Sequence, residues 1–313
     1  MRMLPPAIRP QISVAYLLAR TTDTIADIEL APVEQRLAAL GALRAALHGE
    51  GSAPLGFTLP PGQGLPGERV LLERRGETLA LLRDLEESDR GRVREVLDVI
   101  ISGQELDLTR FGAATAQQIA ALETEAELDD YTYRVAGCVG EFWTKMCRAH
   151  SLTGGEPDDG RLEREGVRFG KGLQLINILR DLPRDLRNGR CYIPRQALAA
   201  VQLTPSDLLS PEKEPRFRPL YDTYLALAAS HLAAGWEYTE RLPRRQFRLR
   251  LACAWPLLIG ARTLRKLRQE NVLDASRRVK ITRAEVRSVV LRSVFLYPFP
   301  GRWHAQLAQD SAP

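Results

Sequence analysis

The chain has 313 residues, 44% hydrophobic and 27% charged, a composition that supports a sizeable core and excludes disorder and fibrous repeats. Its longest uncharged apolar stretch, 251 to 261, contains Pro256 and falls well short of the roughly 20 residues a spanning helix needs. The net charge of +5 is uneven: residues 241 to 287 carry fourteen Lys/Arg against Glu270, Asp274 and Glu285, so that segment is +11 and the remainder −6.

No nucleic-acid-binding motif accompanies the basic run, which reads as a solvated helix face, and no nucleic-acid partner is expected. The first residues, MRMLPPAIRPQ, lack the apolar core of a signal peptide, and Cys138, Cys147, Cys191 and Cys253 are widely scattered. A cytoplasmic protein without structural disulfides is expected. No Cys/His cluster has zinc-ligand spacing, so any metal must be held by oxygen ligands.

Taken in chain order, SVAYLLARTTDTIADIEL is an apolar helix carrying Asp23 and Asp27. Apolar residues at three and four spacing then predict helices over 33–47, 68–85, 92–101, 113–149, 161–182, 220–240 and 247–269. Ten of the nineteen positions from 49 to 67 are Gly or Pro, which predicts a flexible loop. Its formal GxGxxG (Gly62, Gly64, Gly67) follows no strand and is crowded by prolines, so it is rejected as a dinucleotide fingerprint. Thr204-Pro205-Ser206-Asp207 is a helix-start signal, and Thr282 with Glu285 forms a capping-box pattern. The expected fold is all-α, one domain over residues 1–300 with a C-terminal tail at 301–313.

Two DxxxD motifs carry the chemistry. Asp23 and Asp27 stack on one helical face, where like charges repel and call for a cation, for which Arg20, three residues before Asp23, is the plain candidate when this motif is taken alone. Asp181 and Asp185 end an apolar helix and are interleaved with Arg180, Arg184, Arg187 and Arg190, a mixture suited to magnesium-bridged phosphate. A ladder of surface salt bridges would account for those charges, but not for Gln174 and Asn177, which share a helical stripe with Asp181 and Asp185.

With these motifs in place, the sequence resembles the squalene and phytoene synthases, which join two prenyl diphosphates head to head. Three blocks in matching order carry the resemblance: YLLARTTDTIAD at 16–27, YTYRVAGCVG at 131–140 and QLINILRDLPRDLRNGRCYIP at 174–194. The resemblance implies a single-domain isoprenoid-synthase helical bundle around a deep apolar cavity. It implies Mg²⁺ bound through Asp23, Asp27, Asp181 and Asp185, with Gln174 and Asn177 lining the same site. Arg20, Arg180 and Arg190 match arginines that hold phosphate oxygens as the leaving group departs. Tyr16 and Tyr131 match tyrosines at the reacting carbons, with Tyr131 the better candidate for proton transfer; Tyr133 and Tyr224 read as core residues with satisfied hydroxyls.

In that family the second prenyl unit attacks an allylic cation to give presqualene diphosphate, followed by reduction with NADPH in squalene synthases or proton loss in phytoene synthases. VKITR at 279–283 is similar to the VKI segment of the reductive enzymes, with Lys280 and Arg283 expected at the NADPH phosphates. Squalene from two farnesyl diphosphates is therefore the leading expectation, dehydrosqualene or phytoene the alternative. A non-catalytic scaffold of the same superfamily is the alternative of another class, and the presence of all four aspartates argues against it. Family members carry an N-terminal Ser-x-Ser-Phe segment over the diphosphate site that residues 1–22 do not match, so either a truncated start or a more open site is expected. Pro183 is expected to kink the second motif's helix by removing the hydrogen bond to Leu179. SVVLRSVFLYPFPG at 288–301 suggests peripheral membrane contact at most, in a protein expected to be monomeric.

Overall fold

The structure is a computed structural model that describes residues 3–28, 31–51, 54, 56, 65–152 and 160–311. Most of the Gly/Pro-rich segment 49–67, including Gly62 and Gly64, lies outside the described residues. Almost every described element is a helix, and the chain groups into two compact units, residues 1–112 with 145–151 and residues 113–144 with 152–313.

The first unit contains α1 (Arg9–Asp27), α2 (Val33–Leu47), α3 (Pro66–Glu73), α4 (Arg75–Arg83) and α5 (Glu87–Phe111). Helix α1 buries Val14, Leu18, Thr21, Thr22 and Ile25 and packs against the other four helices of this unit. Its threonines are compatible with burial because Thr21, Thr22 and Thr24 each donate to a carbonyl three or four residues earlier, at 2.7–2.8 Å. Near its start, Gln11 donates to the buried Asp89 of α5 at 2.9 Å, and Asp89 also holds Arg92 (2.8 Å) and His150. Burial pulls the Asp89 carboxyl upward, but the hydrogen bonds of His150 and Gln11 and the nearby positive charge outweigh it and keep the group below its ordinary value.

The second unit contains α6 (Glu125–Thr132), a π-helical turn (Tyr133–Gly137), the first half of α7 (Cys138–His150), α8 (Arg161–Arg187), α9 (Arg195–Ala200), α10 (Glu214–Arg241), α11 (Phe247–Gln269), α12 (Arg283–Leu296), α13 (Pro300–His304) and α14 (Gln306–Ser311). Helix α8 is central, packed along α10 and touching α6, the π turn and α11. It approaches its neighbours closely because its contact points are glycines: a Cβ on Gly170 would stand 2.1 Å from the Ala136 carbonyl, and one on Gly140 1.8 Å from the Gly166 carbonyl. The expected capping boxes form, Thr204 with Asp207 at the start of a short 3₁₀ turn and Thr282 with Glu285 at the start of α12.

Three regions differ from the sequence expectation. Residues 113–124, read as part of a long helix, form turns, the Thr115–Gln118 bridge and a short strand, Ala120–Ala121 (β1), which pairs in parallel with Arg190–Cys191 (β2), so tertiary pairing overrides the helical pattern of small residues. Residues 301–313, read as a tail, are helical through Ser311, where Trp303, stacked on Trp236 at 5.4 Å, is buried along with Asp310. Helix α8 continues through Pro183 to Arg187. The buried Tyr221 hydroxyl of α10 donates to the Leu179 carbonyl at 3.1 Å, replacing the donor that Pro183 lacks. The four cysteines are free and buried, and no described helix is long and apolar enough to cross a membrane.

Candidate active site

On α1 the packed residues leave one stripe toward solvent: Tyr16, Arg20, Asp23 and Asp27, spaced by four, three and four. Tyr16 is 56% exposed and Asp27 is exposed, whereas Arg20 and Asp23 are intermediate. Asp23 accepts from Gln104 of α5 at 2.6 Å, and Gln104 also donates to Thr22 at 2.9 Å, so the carboxylate is held by a side chain that is itself buried. Arg20 stands 3.8 Å from Asp23, but its shorter contact is to Glu68 of α3, at 2.8 Å. The protein packed around Asp23 and the negative charge of Asp27 raise its pKa above the ordinary carboxylate value, and Gln104 and Arg20 offset this only in part.

The stripe on α8 is built alike, with opposite electrostatics. Leu175, Ile176, Ile178, Leu179, Leu182 and Leu186 are buried, leaving Gln174, Asn177, Asp181 and Asp185 on the less buried face. Asn177 donates to Gln174 at 3.4 Å, a long contact. Asp181 receives a two-pronged grip from Arg180, at 3.0 and 2.5 Å, with Arg278 3.6 Å away. Burial pushes the Asp181 carboxyl upward, yet Arg180, Arg278 and Arg184 together hold it below its ordinary value. Beside it opens a cavity of about 330 Å³ whose wall carries Arg180, Arg184, Arg187, Arg277 and Arg278 and one acid, Asp181. Five guanidiniums thus stand around one carboxylate on this wall, Arg277 also lying 3.7 Å from both Glu270 and Asp274.

The remaining expected residues fall as follows. Tyr131 is 8% exposed at the end of α6, stacked on Tyr192 with ring centroids 4.6 Å apart, immediately before the π turn. Arg190 lies in β2, opposite Ala120. Tyr133 and Tyr224 bond to Glu141 (2.9 Å) and Glu125 (2.5 Å), the satisfied hydroxyls expected of structural residues. Lys280 and Arg283 are exposed at the start of α12 and do not lie on the cavity wall. Sequence reasoning missed Gln104, Glu68, Arg277 and Arg278; the only local signal was the Arg277-Arg278 doublet directly ahead of VKITR.

Among the described residues no group of three or more His, Cys, Asp or Glu is placed to hold a metal on its own. The donor chemistry nonetheless fits Mg²⁺, a hard ion that takes one or two carboxylates and fills its octahedron with phosphate oxygens and water. The Asp23–Asp27 pair offers such oxygens, and its mutual repulsion is the kind a divalent cation relieves.

The squalene/phytoene synthase family model matches residues 1–285. The presqualene diphosphate synthase of Rhodopseudomonas palustris is 31% identical over 254 residues, 78% of this chain and 74% of its own. Among solved structures, TcSQS in complex with the ligand BPH1237 is similar with a TM-score of 0.75 at 22% identity, over 99% of this chain and 91% of that one. The squalene synthase HpnC of Alicyclobacillus acidocaldarius follows with a TM-score of 0.57 at 22% identity, over 85% and 86%. The chain therefore belongs to the squalene/phytoene synthase family and is a prenyltransferase.

Proposed function

We propose that this chain condenses two farnesyl diphosphates head to head to presqualene diphosphate. The observation that carries the reading is the acid pair Asp23–Asp27, two carboxylates four residues apart on the outward stripe of α1, the helix of the first sequence block of the family; burial first, and the charge of Asp27 second, raise the pKa of Asp23. The 254-residue similarity to a presqualene diphosphate synthase supports that product.

In this reading the pair Asp23 and Asp27, and separately the pair Asp181 and Asp185, would each hold Mg²⁺ against diphosphate. When bound, the ion acts as a Lewis acid on the leaving diphosphate. The protein's own contribution is charge and shape. Arg20, Arg180 and Arg190 would take phosphate oxygens as the C1–O bond of the first substrate breaks and its electron pair leaves with pyrophosphate. The double bond of the second substrate then attacks the allylic cation, and loss of one proton closes the cyclopropane. Tyr131, buried and stacked on Tyr192, is assigned to that proton, with departing pyrophosphate as acceptor, and the ring faces would stabilise a cation beside them. Gln174 and Asn177 would line the diphosphate end. Lys280 and Arg283, both exposed, would meet the NADPH phosphates if a reductive step follows. Because substrate and product are lipids, a peripheral membrane contact belongs to the same reading.

The test is incubation of the full chain with farnesyl diphosphate and Mg²⁺, with and without NADPH, followed by mass analysis of the products. Presqualene diphosphate without NADPH is expected; squalene appearing only with NADPH would add the reductive step to the same protein. No product from farnesyl or geranylgeranyl diphosphate would overturn catalysis in favour of a scaffold role.

A further inference from the structure

Helix α12 is apolar on two faces but packed on only one. Its inner face buries Val289 and Ser293, the latter accepting from Trp255 at 2.9 Å, while Arg292 reaches the buried Asp310. Its outer face exposes Leu291 (70%), Phe295 (73%) and Val294 (47%), and Phe299 (48%) follows at the entry to α13. The start of α11 adds Phe247, 50% exposed, whose ring lies 6.4 Å from that of Tyr297. Tyr297 donates to the Arg244 carbonyl at 2.6 Å and Arg244 reaches back to Pro298, which fixes the two segments to each other. Five of the eleven exposed large hydrophobic residues described in the chain are therefore gathered in this one corner, which scattered surface exposure does not account for.

The rim of this corner is positive. Arg244 and Arg245 flank Phe247, Arg287 lies on the exposed face of α12 one turn from Leu291, and the Arg302 guanidinium stands 5.8 Å from the Phe299 ring centroid. The acids nearby are engaged: Glu240 with His304, Glu285 with Lys266 and its own cap at Thr282, and Asp310 with Arg262 and Arg292.

We propose that this corner, the outer face of α12 with Phe247 and Phe299, docks on an anionic lipid surface. Bulky apolar side chains inside an arginine rim match the two layers of such a surface, acyl chains beneath negative headgroups. A second copy of the chain would set one arginine rim against another, an unfavourable pairing for a symmetric interface. A nucleic acid would find stacking rings but no use for Leu291 and Val294. The assignment is independent of which prenyl product is formed.

The experiment is flotation of the full chain with vesicles of phosphatidylcholine alone and of equimolar phosphatidylcholine and phosphatidylglycerol, at low and high salt. Binding is expected to the mixed vesicles and to weaken with salt. Leu291→Ser with Phe295→Ser should abolish it, and Arg287→Glu or Arg302→Glu should weaken it about fivefold per unit of charge removed. Melting temperatures should stay at wild type, since these side chains are exposed. Equal binding to both vesicle types, or unchanged binding by the serine variant, would overturn the proposal. So would a concentration-dependent dimer, lost in the serine variant, in a protein that ignores vesicles.

Discussion

The two DxxxD motifs share a spacing and a helical setting but differ in how their charge is balanced. On α1, Asp23 meets a buried amide and a neighbouring carboxylate, and its nearest cation, Arg20, is drawn to Glu68. On α8, Asp181 is gripped by Arg180 and approached by Arg278, beside an arginine-lined cavity. The first carboxyl is consequently pushed up and the second held down. Equal motifs in sequence thus sit in unequal electrostatic settings: burial and a neighbouring carboxylate work against ionisation of Asp23, whereas arginines favour ionisation of Asp181.

The largest expected effect is on turnover. Asp23→Ala and Asp181→Ala should each lower product formation from farnesyl diphosphate by at least about 10³-fold, in proteins that keep wild-type circular dichroism. Full activity in either would remove that aspartate from the metal-binding set. Chelation should abolish turnover and added Mg²⁺ restore it; activity that persists in excess chelator would break the reading of the α1 pair as a cation site.

A smaller effect tests what supports the second motif. Tyr221→Phe leaves the Leu179 carbonyl buried without its donor and should cost about 1–3 kcal/mol, read as a lower urea midpoint. Pro183→Ala restores the backbone N–H, so adding it to Tyr221→Phe should recover most of the loss. If the double variant is no more stable than the single, the hydroxyl does not stand in for the missing donor.

The comparison also has a pH signature. Asp181 has a folded pKa below its unfolded value, so its stabilisation is present above about pH 3.9 and is lost as pH falls through the folded value. Asp23 has a folded pKa above its unfolded value, so its ionisation begins to cost stability as pH rises past about 3.9, and the cost is complete above the folded value. The stability difference between wild type and each Asp→Asn variant should therefore vanish in acid and grow with opposite sign toward neutrality.

Much of this was legible in local sequence. The three and four periodicity located α2, α8, α10 and α11, and the stripes containing Asp23–Asp27 and Gln174–Asp185 followed from the same spacing. Long-range partners were not legible: Gln104 reaches Asp23 from 81 residues away, Tyr221 reaches Leu179 from 42, and Arg278 approaches Asp181 from a separate segment. Such contacts leave no trace in the periodicity of either partner. The same reason explains residues 113–124, whose small residues carry a helical pattern while Ala120 and Ala121 pair with the distant β2. The sign of a pKa shift depends on these partners, which is why two identical motifs could not be told apart before their neighbours were placed.

The most direct measurement is the urea midpoint of Asp23→Asn and of Asp181→Asn against wild type near neutral pH, without Mg²⁺. Removing charge from the α1 pair should raise stability by roughly 0.2–0.5 kcal/mol or more, since repulsion and burial of an ionised group are both relieved. Removing it from Asp181 should lower stability, since Arg180 and Arg278 lose their counter-charge. Shifts of opposite sign are the expected result; shifts of the same sign would contradict the division of labour between the two motifs.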